Sequence, residues 1–208
     1  MTALLIIAKE PVPGRVKTRL TPPCSPEDAA ALAEAALLDT IEAARSTRAG
    51  GRLVLALEGH PPAWLPEGVE VLAQRGGGLA ERLAAAFEDV GEPAFLVGMD
   101  TPQVTRELLD RALSALDRAD AVFAPAADGG YWGIGLRHPD REVFRDVPMS
   151  RPGTGAAQLG RLFAHRLRIA LLPQLRDVDT IADARAVAAM APWTHFARTL
   201  GSVTEEAA

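Results

Sequence analysis

Residues 3–20 read ALLIIAKEPVPGRVKTRL, an apolar run followed directly by a loop that is rich in proline and in cations. A continuous apolar run such as Leu4 to Ala8 is typical of a central strand in a parallel sheet, because that strand is covered on both faces. The loop from Lys9 to Leu20 would then lie at the carboxyl end of the strand, where open α/β sheets bind their ligands. This stretch therefore predicts both the class of fold and the edge of the sheet that carries the site.

Apolar segments of strand length alternate with amphipathic helices through the rest of the chain. The predicted strands after the first one cover residues 53–57, 69–73, 94–98, 121–124, 131–136 and 168–172. Ser25 to Asp28 predicts the start of the first helix, and Thr180 to Asp183 has the pattern of a capping box for the last one. The alternation predicts an α/β protein with three layers, α/β/α, around a mostly parallel mixed sheet.

Length and composition are those of one globular domain. The chain has 208 residues, 48% of them hydrophobic, and no linker or repeat divides it. We therefore predict a single domain over residues 1–200, followed by a small acidic tail, 201–208, that is disordered. The one cysteine, Cys24, cannot form an intrachain disulfide and does not support a cysteine-based zinc site.

Charge and hydropathy narrow the range of partners and compartments. The formal net charge of −5 argues against sequence-independent nucleic-acid binding, which requires a basic surface. The apolar segment at the start is too short for a membrane span and lacks the basic residues that begin a signal peptide. We expect a cytoplasmic protein with no nucleic-acid partner and no membrane span.

The loop after the first predicted strand concentrates positive charge in an acidic protein. The loop contains four cations, Lys9, Arg15, Lys17 and Arg19, and one acid, Glu10. Gly14 lets the backbone approach an anion closely. These features indicate a binding site for phosphate or pyrophosphate. The alternative is a solvated basic loop without a ligand. The spacing of a Walker A loop is absent.

Acids follow three of the later predicted strands. Asp100 stands at the carboxyl end of a buried strand, where its charge needs compensation, and Mg²⁺ is a natural partner for it. The alternative is that Asp100 or Thr101 caps the next helix. Asp177 and Asp179 point to the same side of an extended segment, and one of them could share a metal with Asp100. Their alternative role is an acidic helix start.

A fourth acid, Asp128, begins the segment Asp128-Gly129-Gly130-Tyr131, in which two glycines would let a ligand pack against the backbone. The alternative for this segment is a plain Asp-Gly hairpin turn.

Taken together, five short motifs in this order closely resemble the domain of unknown function 2064 family. This family is glycosyltransferase-like and similar to 2-phospho-L-lactate guanylyltransferase. The resemblance covers about residues 3 to 190. The motifs are AKxPxPGxVKTRL from Ala8 to Leu20, LAERL from Leu79 to Leu83, GxDTP from Gly98 to Pro102, DGGY from Asp128 to Tyr131, and LRDVDT from Leu175 to Thr180.

The resemblance implies a nucleotide-diphospho-sugar transferase fold of the GT-A type, and with it a division of roles. Metal binding, by Mg²⁺ or Mn²⁺, carries over to Asp100 and to Asp179 in preference to Asp177. Two departures concern the donor: Gly98-Met99-Asp100 offers one acid where such glycosyltransferases carry Asp-x-Asp, and Pro-Val-Pro-Gly-Arg replaces a glycine-rich loop. The implied nucleotide and phosphate ligands are Lys9, Gly14, Arg15, Lys17, Arg19, Glu81 and Arg82. The implied acceptor-binding residues are Asp128, Gly129, Gly130, Tyr131 and Ser150.

Three functions remain open at this level. The leading hypothesis is a metal-dependent nucleotidyltransferase that joins a nucleoside triphosphate to a small phosphorylated acceptor, with Lys17, Asp100 and Asp128 as catalytic residues. The second is a glycosyltransferase with a nucleotide-sugar donor, in which Asp128 would be the base for an acceptor hydroxyl. The third is a nucleotide-binding protein without catalysis.

Overall fold

A seven-stranded sheet forms the centre of the computed structural model, which describes residues 2–48 and 50–206. The strands are β1 (Thr2–Lys9), β2 (Gly50–Glu58), β3 (Val69–Ala73), β4 (Ala94–Gly98), β5 (Ala121–Pro125), β6 (Tyr131–Leu136) and β7 (Ile169–Leu171). Their order across the sheet is β3-β2-β1-β4-β6-β5-β7. Strand β6 is antiparallel to β4 and β5, and the other neighbouring pairs are parallel. The predicted mostly parallel mixed sheet is confirmed.

Several helices begin after a serine or threonine whose side chain accepts a backbone N–H of the first turn. They are α1 (Pro26–Arg45), α2 (Leu79–Val90), α3 (Arg106–Ala115), α4 (Thr154–Ala164), α5 (Ile181–Met190) and α6 (His195–Glu206). Ser25 caps α1 and Thr180 caps α5, each in a capping box with an aspartate three residues later. Both predicted helix starts are confirmed, although a further helix follows α5.

Helices cover both faces of the sheet, which gives the predicted three layers. Successive residues of β1 alternate between the faces, so Leu4 and Ile6 pack with α1 and α3. Ala3 and Leu5 pack on the other side with α2 and α4. Because the central strands are buried on both faces, they read as unbroken apolar runs in the sequence.

Helices α5 and α6 pack outside α1 rather than on the sheet. The buried Asp39 of α1 fixes α6 by accepting the backbone N–H groups of His195 at 2.8 Å and Phe196 at 2.9 Å. Helix α6 runs to Glu206, so the predicted disordered tail is helical over 201–206, with Val203 packed beside Leu200. Residues 207 and 208 lie outside the described residues. In the described part of the chain, no helix is long and apolar enough to cross a membrane.

The parallel strands end at one edge of the sheet, and the segments that follow them meet there. The N–H of Val178, in the segment after β7, donates to the carbonyl oxygen of Asp100, after β4, at 2.9 Å. The N–H of Ala127, after β5, donates to the carbonyl oxygen of Leu175 at 2.8 Å. The predicted site loops are thereby brought together at this edge.

Candidate active site

A cavity of about 490 Å³ opens at the carboxyl edge of the sheet, a volume within the range of small-molecule sites. Most of the residues predicted for the site line it. These are Lys9, Arg15, Lys17, Arg19, Arg82, Asp100, Asp128, Gly130, Tyr131, Ser150 and Asp179. Three of the predicted residues, Gly14, Glu81 and Gly129, are not part of its lining.

Lys17 is the most enclosed cation of the cavity. Its side chain is only 7% exposed, and its Nζ lies 2.5 Å from Oδ1 of Asp100. The same ammonium donates a hydrogen bond to the carbonyl oxygen of Val178. Its backbone has a φ of 48°, in the left-handed region that a residue with a side chain rarely adopts. The loop after β1 therefore places the ammonium of Lys17 between Asp100 and Val178.

The other cations of the first loop stay closer to solvent. Nη1 of Arg19 lies 2.5 Å from Oδ2 of Asp179, with both side chains substantially exposed. Lys9 lies 3.5 Å from Glu58, which also pairs with Arg82. The exposed Arg15 makes no ion pair or side-chain hydrogen bond within residues 2–48 and 50–206. Gly14 has a φ of 75°, and nothing lies within 4 Å of the position its Cβ would take.

Asp100 does not cap a helix, so that alternative interpretation is wrong. Helix α3 begins only at Arg106, and its N-cap is Thr105, whose side chain accepts the N–H of Leu108 at 3.3 Å. The carboxylate of Asp100 is 54% exposed and belongs to the cavity. Thr101 is buried, and its hydroxyl also has no capping role.

Four carboxylates line the cavity, those of Asp100, Asp128, Asp177 and Asp179. The negative charges of the other three affect the pKa of Asp177. Burial, followed by the negative charges of Asp128, Asp179 and Asp100, raises the pKa of Asp177 to about 6. The ionised form of Asp177 is therefore destabilised, and a cation bound nearby would stabilise it. The sequence favoured Asp179 over Asp177, but both line the cavity.

The turn between β5 and β6 is a hairpin turn and also a wall of the cavity. Oδ1 of Asp128 accepts the N–H of Gly130 at 2.7 Å. The start of α4 packs directly on this turn, because the N–H of Gly155 donates to the carbonyl oxygen of Gly129 at 2.8 Å. A Cβ on Gly155 would lie 2.5 Å from the carbonyl oxygen of Gly130, so the close approach requires glycine. The turn is thus held in place by the neighbouring helix.

Tyr131 and Ser150 also line the cavity. The hydroxyl of Tyr131 donates to Oε1 of the buried Gln158 at 3.4 Å, and burial raises the pKa of the phenol. Tyr131 is therefore protonated and neutral at physiological pH. Ser150 has a φ of 57° in the segment that leads into α4.

Arg151 lines the cavity beside Ser150 and was not predicted for the site. Its backbone N–H donates to Oγ1 of Thr154 at 3.1 Å, and its carbonyl oxygen accepts the N–H of Thr154 at 3.0 Å. Its guanidinium makes no ion pair or side-chain hydrogen bond in the described part of the chain. Arg151 belongs to the segment Pro-Met-Ser-Arg-Pro, in which only Ser150 was predicted to be a site residue.

Near α2, the predicted Glu81 makes a structural contact outside the cavity, and Gln74, which was not predicted, lines the cavity. Oε2 of Glu81 accepts the N–H of Gly77 at 2.7 Å and fixes the glycine turn before α2. Gln74 lines the cavity, and its Nε2 donates to the carbonyl oxygens of Ala8 at 2.7 Å and Ala56 at 3.0 Å. Gln74 directly follows β3, so the rule that ligands bind after strands would have found it.

The cavity suits a hard divalent cation by the chemistry of its donors. Asp100, Asp177 and Asp179 line the cavity with carboxylate oxygens, the ligands that Mg²⁺ and Mn²⁺ take in proteins, but within the described residues these three do not form a group with ligand atoms within 4.8 Å of one another. In the structure, however, the cations of Lys17 and Arg19 lie against two of these acids.

A second group of potential metal ligands lies on α1 and α6, outside this cavity. One potential ligand atom of each of Asp39, Glu42 and His195 lies within 4.8 Å of the other two. Among the described residues, this is the group of three His, Cys, Asp or Glu side chains that meets this criterion. Both oxygens of Asp39 already accept backbone N–H groups of α6. Asp39 therefore has a structural role as a cap for α6.

Comparison with known proteins places this geometry in a family and a fold. The family model described as "Uncharacterized protein conserved in bacteria (DUF2064)" matches residues 32–151. No curated protein sequence matches the chain. A protein of Desulfovibrio desulfuricans G20, whose crystal structure names it a "putative nucleotide-diphospho-sugar transferase", is 28% identical. The two align with a TM-score of 0.86 over 99% of this chain and 95% of that one.

More distant structures share the fold. The 2-C-methyl-D-erythritol 4-phosphate cytidylyltransferase of Thermus thermophilus is 17% identical, with a TM-score of 0.56 over 92% of this chain and 100% of that one. Rv0371C of Mycobacterium tuberculosis H37Rv, solved as a complex with manganese, is 24% identical, with a TM-score of 0.52 over 89% and 97%. The predicted nucleotide-diphospho-sugar transferase fold is confirmed.

Proposed function

The chain belongs to the DUF2064 family, and we propose that it is a metal-dependent nucleotidyltransferase-like enzyme acting on a nucleoside triphosphate and a small phosphorylated acceptor. The observation that carries this proposal is the meeting of cations and carboxylates in one cavity at the carboxyl edge of the sheet. Cations neutralise a polyphosphate, and carboxylates hold the metal that accompanies it. A cytidylyltransferase that acts on a sugar-alcohol phosphate, by its name, shares the fold.

In the proposed reaction, an oxygen of the acceptor phosphate attacks the α-phosphorus of the triphosphate. The bond between the α-phosphorus and the oxygen bridging to the β-phosphate breaks, and pyrophosphate leaves with the electron pair. Such a transfer needs positioning and charge neutralisation more than covalent chemistry by the protein. Mg²⁺ or Mn²⁺, held by Asp100 and Asp179, would add positive charge at the phosphates.

The protein side chains divide between the two substrates by their place in the cavity. Lys9, Arg15, Lys17 and Arg19, all on or next to the loop after β1, would hold the triphosphate. Among the described residues, the exposed Arg15 has no ion-pair partner that a phosphate would have to displace. Lys17 would neutralise charge near the reacting phosphorus, as its burial strengthens its electrostatic effect.

The turn between β5 and β6 and the segment before α4 would hold the acceptor. Arg151 offers there a guanidinium without an ion pair in the described part of the chain, and a phosphate is its natural bidentate partner. The turn of Asp128, Gly129 and Gly130 and the neighbouring Tyr131 would shape the pocket around the rest of the acceptor. An anionic acceptor is therefore favoured over a neutral one.

The second candidate is glycosyl transfer from a nucleotide sugar. It is favoured by the name of the Desulfovibrio desulfuricans structure, which is 28% identical to this chain. In this case the exposed Asp128 would act as the base for an acceptor hydroxyl. The two reactions leave different products, pyrophosphate in the first and a nucleoside diphosphate in the second.

Thermal shift assays with ATP, GTP, CTP, UTP and several nucleotide sugars, each with and without Mg²⁺, would identify the donor. A ligand at a hundred times its Kd adds about 2.7 kcal/mol to the free energy of unfolding. The donor would then be incubated with a panel of phosphorylated acceptors. Release of pyrophosphate supports the proposal, whereas release of nucleoside diphosphate favours the second candidate. Binding without turnover of any acceptor would indicate a non-catalytic nucleotide-binding protein.

A further inference from the structure

The ammonium group of Lys17 lies where a metal ion would find its oxygen ligands. It contacts Oδ1 of Asp100 at 2.5 Å and the carbonyl oxygen of Val178, one carboxylate and one carbonyl. The side chain of Lys17 is 7% exposed and that of Asp100 is 54% exposed, so the ammonium is enclosed while the carboxylate is open to the cavity. The backbone of Lys17 is in the left-handed region, with a φ of 48°.

We propose that Lys17 is a built-in cation that keeps a divalent metal off Asp100 until a polyphosphate draws the ammonium away. The inference rests on the proposed function, which brings the metal and the triphosphate to this cavity. Metal and nucleotide then bind synergistically. The nucleotide draws away the ammonium that repels the metal, and the metal neutralises the carboxylate that Lys17 leaves. The protein avoids holding a metal without its nucleotide.

Electrostatics and space both support the competition. A divalent cation on Oδ1 of Asp100 would lie close to the ammonium of Lys17, which is already within hydrogen-bond distance of that oxygen. The two cations would also repel each other at this short separation. A metal at Asp100 is therefore bound more weakly while the ammonium of Lys17 stays in place.

A triphosphate supplies what the displaced ammonium needs. It carries several negative charges, against one on Asp100, and the exposed Arg15 of the same loop can bind it first. Lys17 can then exchange the carboxylate for a phosphate oxygen without being left unpaired. Asp100 becomes free for the metal that the triphosphate brings with it.

Arg19 and Asp179 provide an internal control, because they form a similar pair in the same cavity. Their side chains are 69% and 44% exposed. Exposed pairs are weak and open readily in water. Replacing Arg19 should therefore increase the affinity for a metal ion much less than replacing Lys17.

The test is the affinity for Mn²⁺ alone, measured from the EPR signal of free Mn²⁺. Lys17→Met keeps the length of the side chain and removes the charge, Lys17→Arg keeps the charge, and Arg19→Met is the matched control. We expect Lys17→Met to bind Mn²⁺ roughly tenfold more tightly than the wild type, and the two other variants to stay within about threefold of it. Circular dichroism verifies that each variant is folded.

A second measurement uses the wild-type protein and does not depend on any variant. Its thermal midpoint is recorded with Mn²⁺, with inorganic triphosphate and with both. We expect the shift with both to exceed the sum of the two separate shifts. Equal Mn²⁺ affinity of Lys17→Met and the wild type, or additive shifts, would overturn the inference and leave the proposed function standing. No Mn²⁺ binding in any sample would contradict the metal-dependent function itself.

Discussion

The backbone N–H of Val178 donates a 2.9 Å hydrogen bond to the carbonyl oxygen of Asp100. This bond joins the turn after β4 to the segment before α5, so the side chains of Asp100 and Asp179 are carried on neighbouring backbones. Lys17 adds the loop after β1, since it contacts both the carboxylate of Asp100 and the carbonyl oxygen of Val178. Three segments that are distant in the sequence are thus linked at one point of the cavity.

Asp100→Asn should abolish metal-dependent nucleotide binding, because a neutral amide is a poor ligand for Mg²⁺. It should also lower the free energy of unfolding by about 1 kcal/mol, since the enclosed Lys17 loses its carboxylate while the site stays partly solvated. Thermal shift with nucleotide, with and without Mg²⁺, and urea unfolding measure the two effects. Asp146→Asn, at a carboxylate that is 86% exposed and outside the cavity lining, is the control. Retained metal-dependent binding in Asp100→Asn would remove Asp100 from the metal site.

Arg151→Met should raise the KM for the acceptor at least tenfold and leave nucleotide affinity unchanged, because a hydrogen bond to a charged group contributes about 1.5–3 kcal/mol. Arg15→Met should do the reverse, although Arg15 is likewise an exposed arginine in the same cavity. The measurements are steady-state pyrophosphate release and nucleotide titration. If both substitutions affect the same substrate, the division of the cavity into donor and acceptor walls is incorrect.

Gly155→Ala should destabilise the protein by about 1–3 kcal/mol, because the new methyl group would press on the carbonyl oxygen of Gly130. The matched control is Gly160→Ala in the same helix, where nothing lies within 4 Å of the new atom. That change should stabilise by about 0.5–1 kcal/mol, as alanine favours the helix over glycine. Urea unfolding compares the two. A destabilised Gly160→Ala and an unaffected Gly155→Ala would contradict the close packing of α4 on the turn.

Asp177→Asn should raise the free energy of unfolding at pH 7 to 8 in a metal-free buffer. The folded-state pKa of Asp177, about 6, lies above the ordinary aspartate value of 3.8. The folded protein therefore binds more protons than the unfolded chain between about pH 4 and pH 6, and its stability falls as the pH rises through that window. With partial solvent exposure taken into account, the penalty at neutral pH is about 1–2 kcal/mol.

Urea unfolding at pH 4, 5, 6 and 7.5 tests this pH dependence. The advantage of Asp177→Asn should grow with pH and level off above pH 6, and it should be nearly absent at pH 4. Asp146→Asn serves again as a control, since that exposed carboxylate lies outside the cavity. A constant difference at all four pH values would show that the pKa of Asp177 is not raised in the folded protein.

Much of the fold is determined by interactions between residues that are close in the sequence. The apolar run of β1 predicts a strand buried on both faces, and the capping boxes at Ser25 and Thr180 fix where two helices begin. Each of these depends on side-chain periodicity or on hydrogen bonds across three residues, so the sequence displays them directly. The position of the site after the parallel strands follows from the class of fold alone.

Tertiary structure decided what the sequence could only place in the same region. Lys17 reaches Asp100, Arg19 reaches Asp179, and Asp39 caps α6, and each contact joins residues far apart in the chain. The raised pKa of Asp177 likewise depends on burial and on charges from other loops. No local pattern encodes such contacts, because they exist only after the sheet has brought its carboxyl ends together and the helices have packed around them.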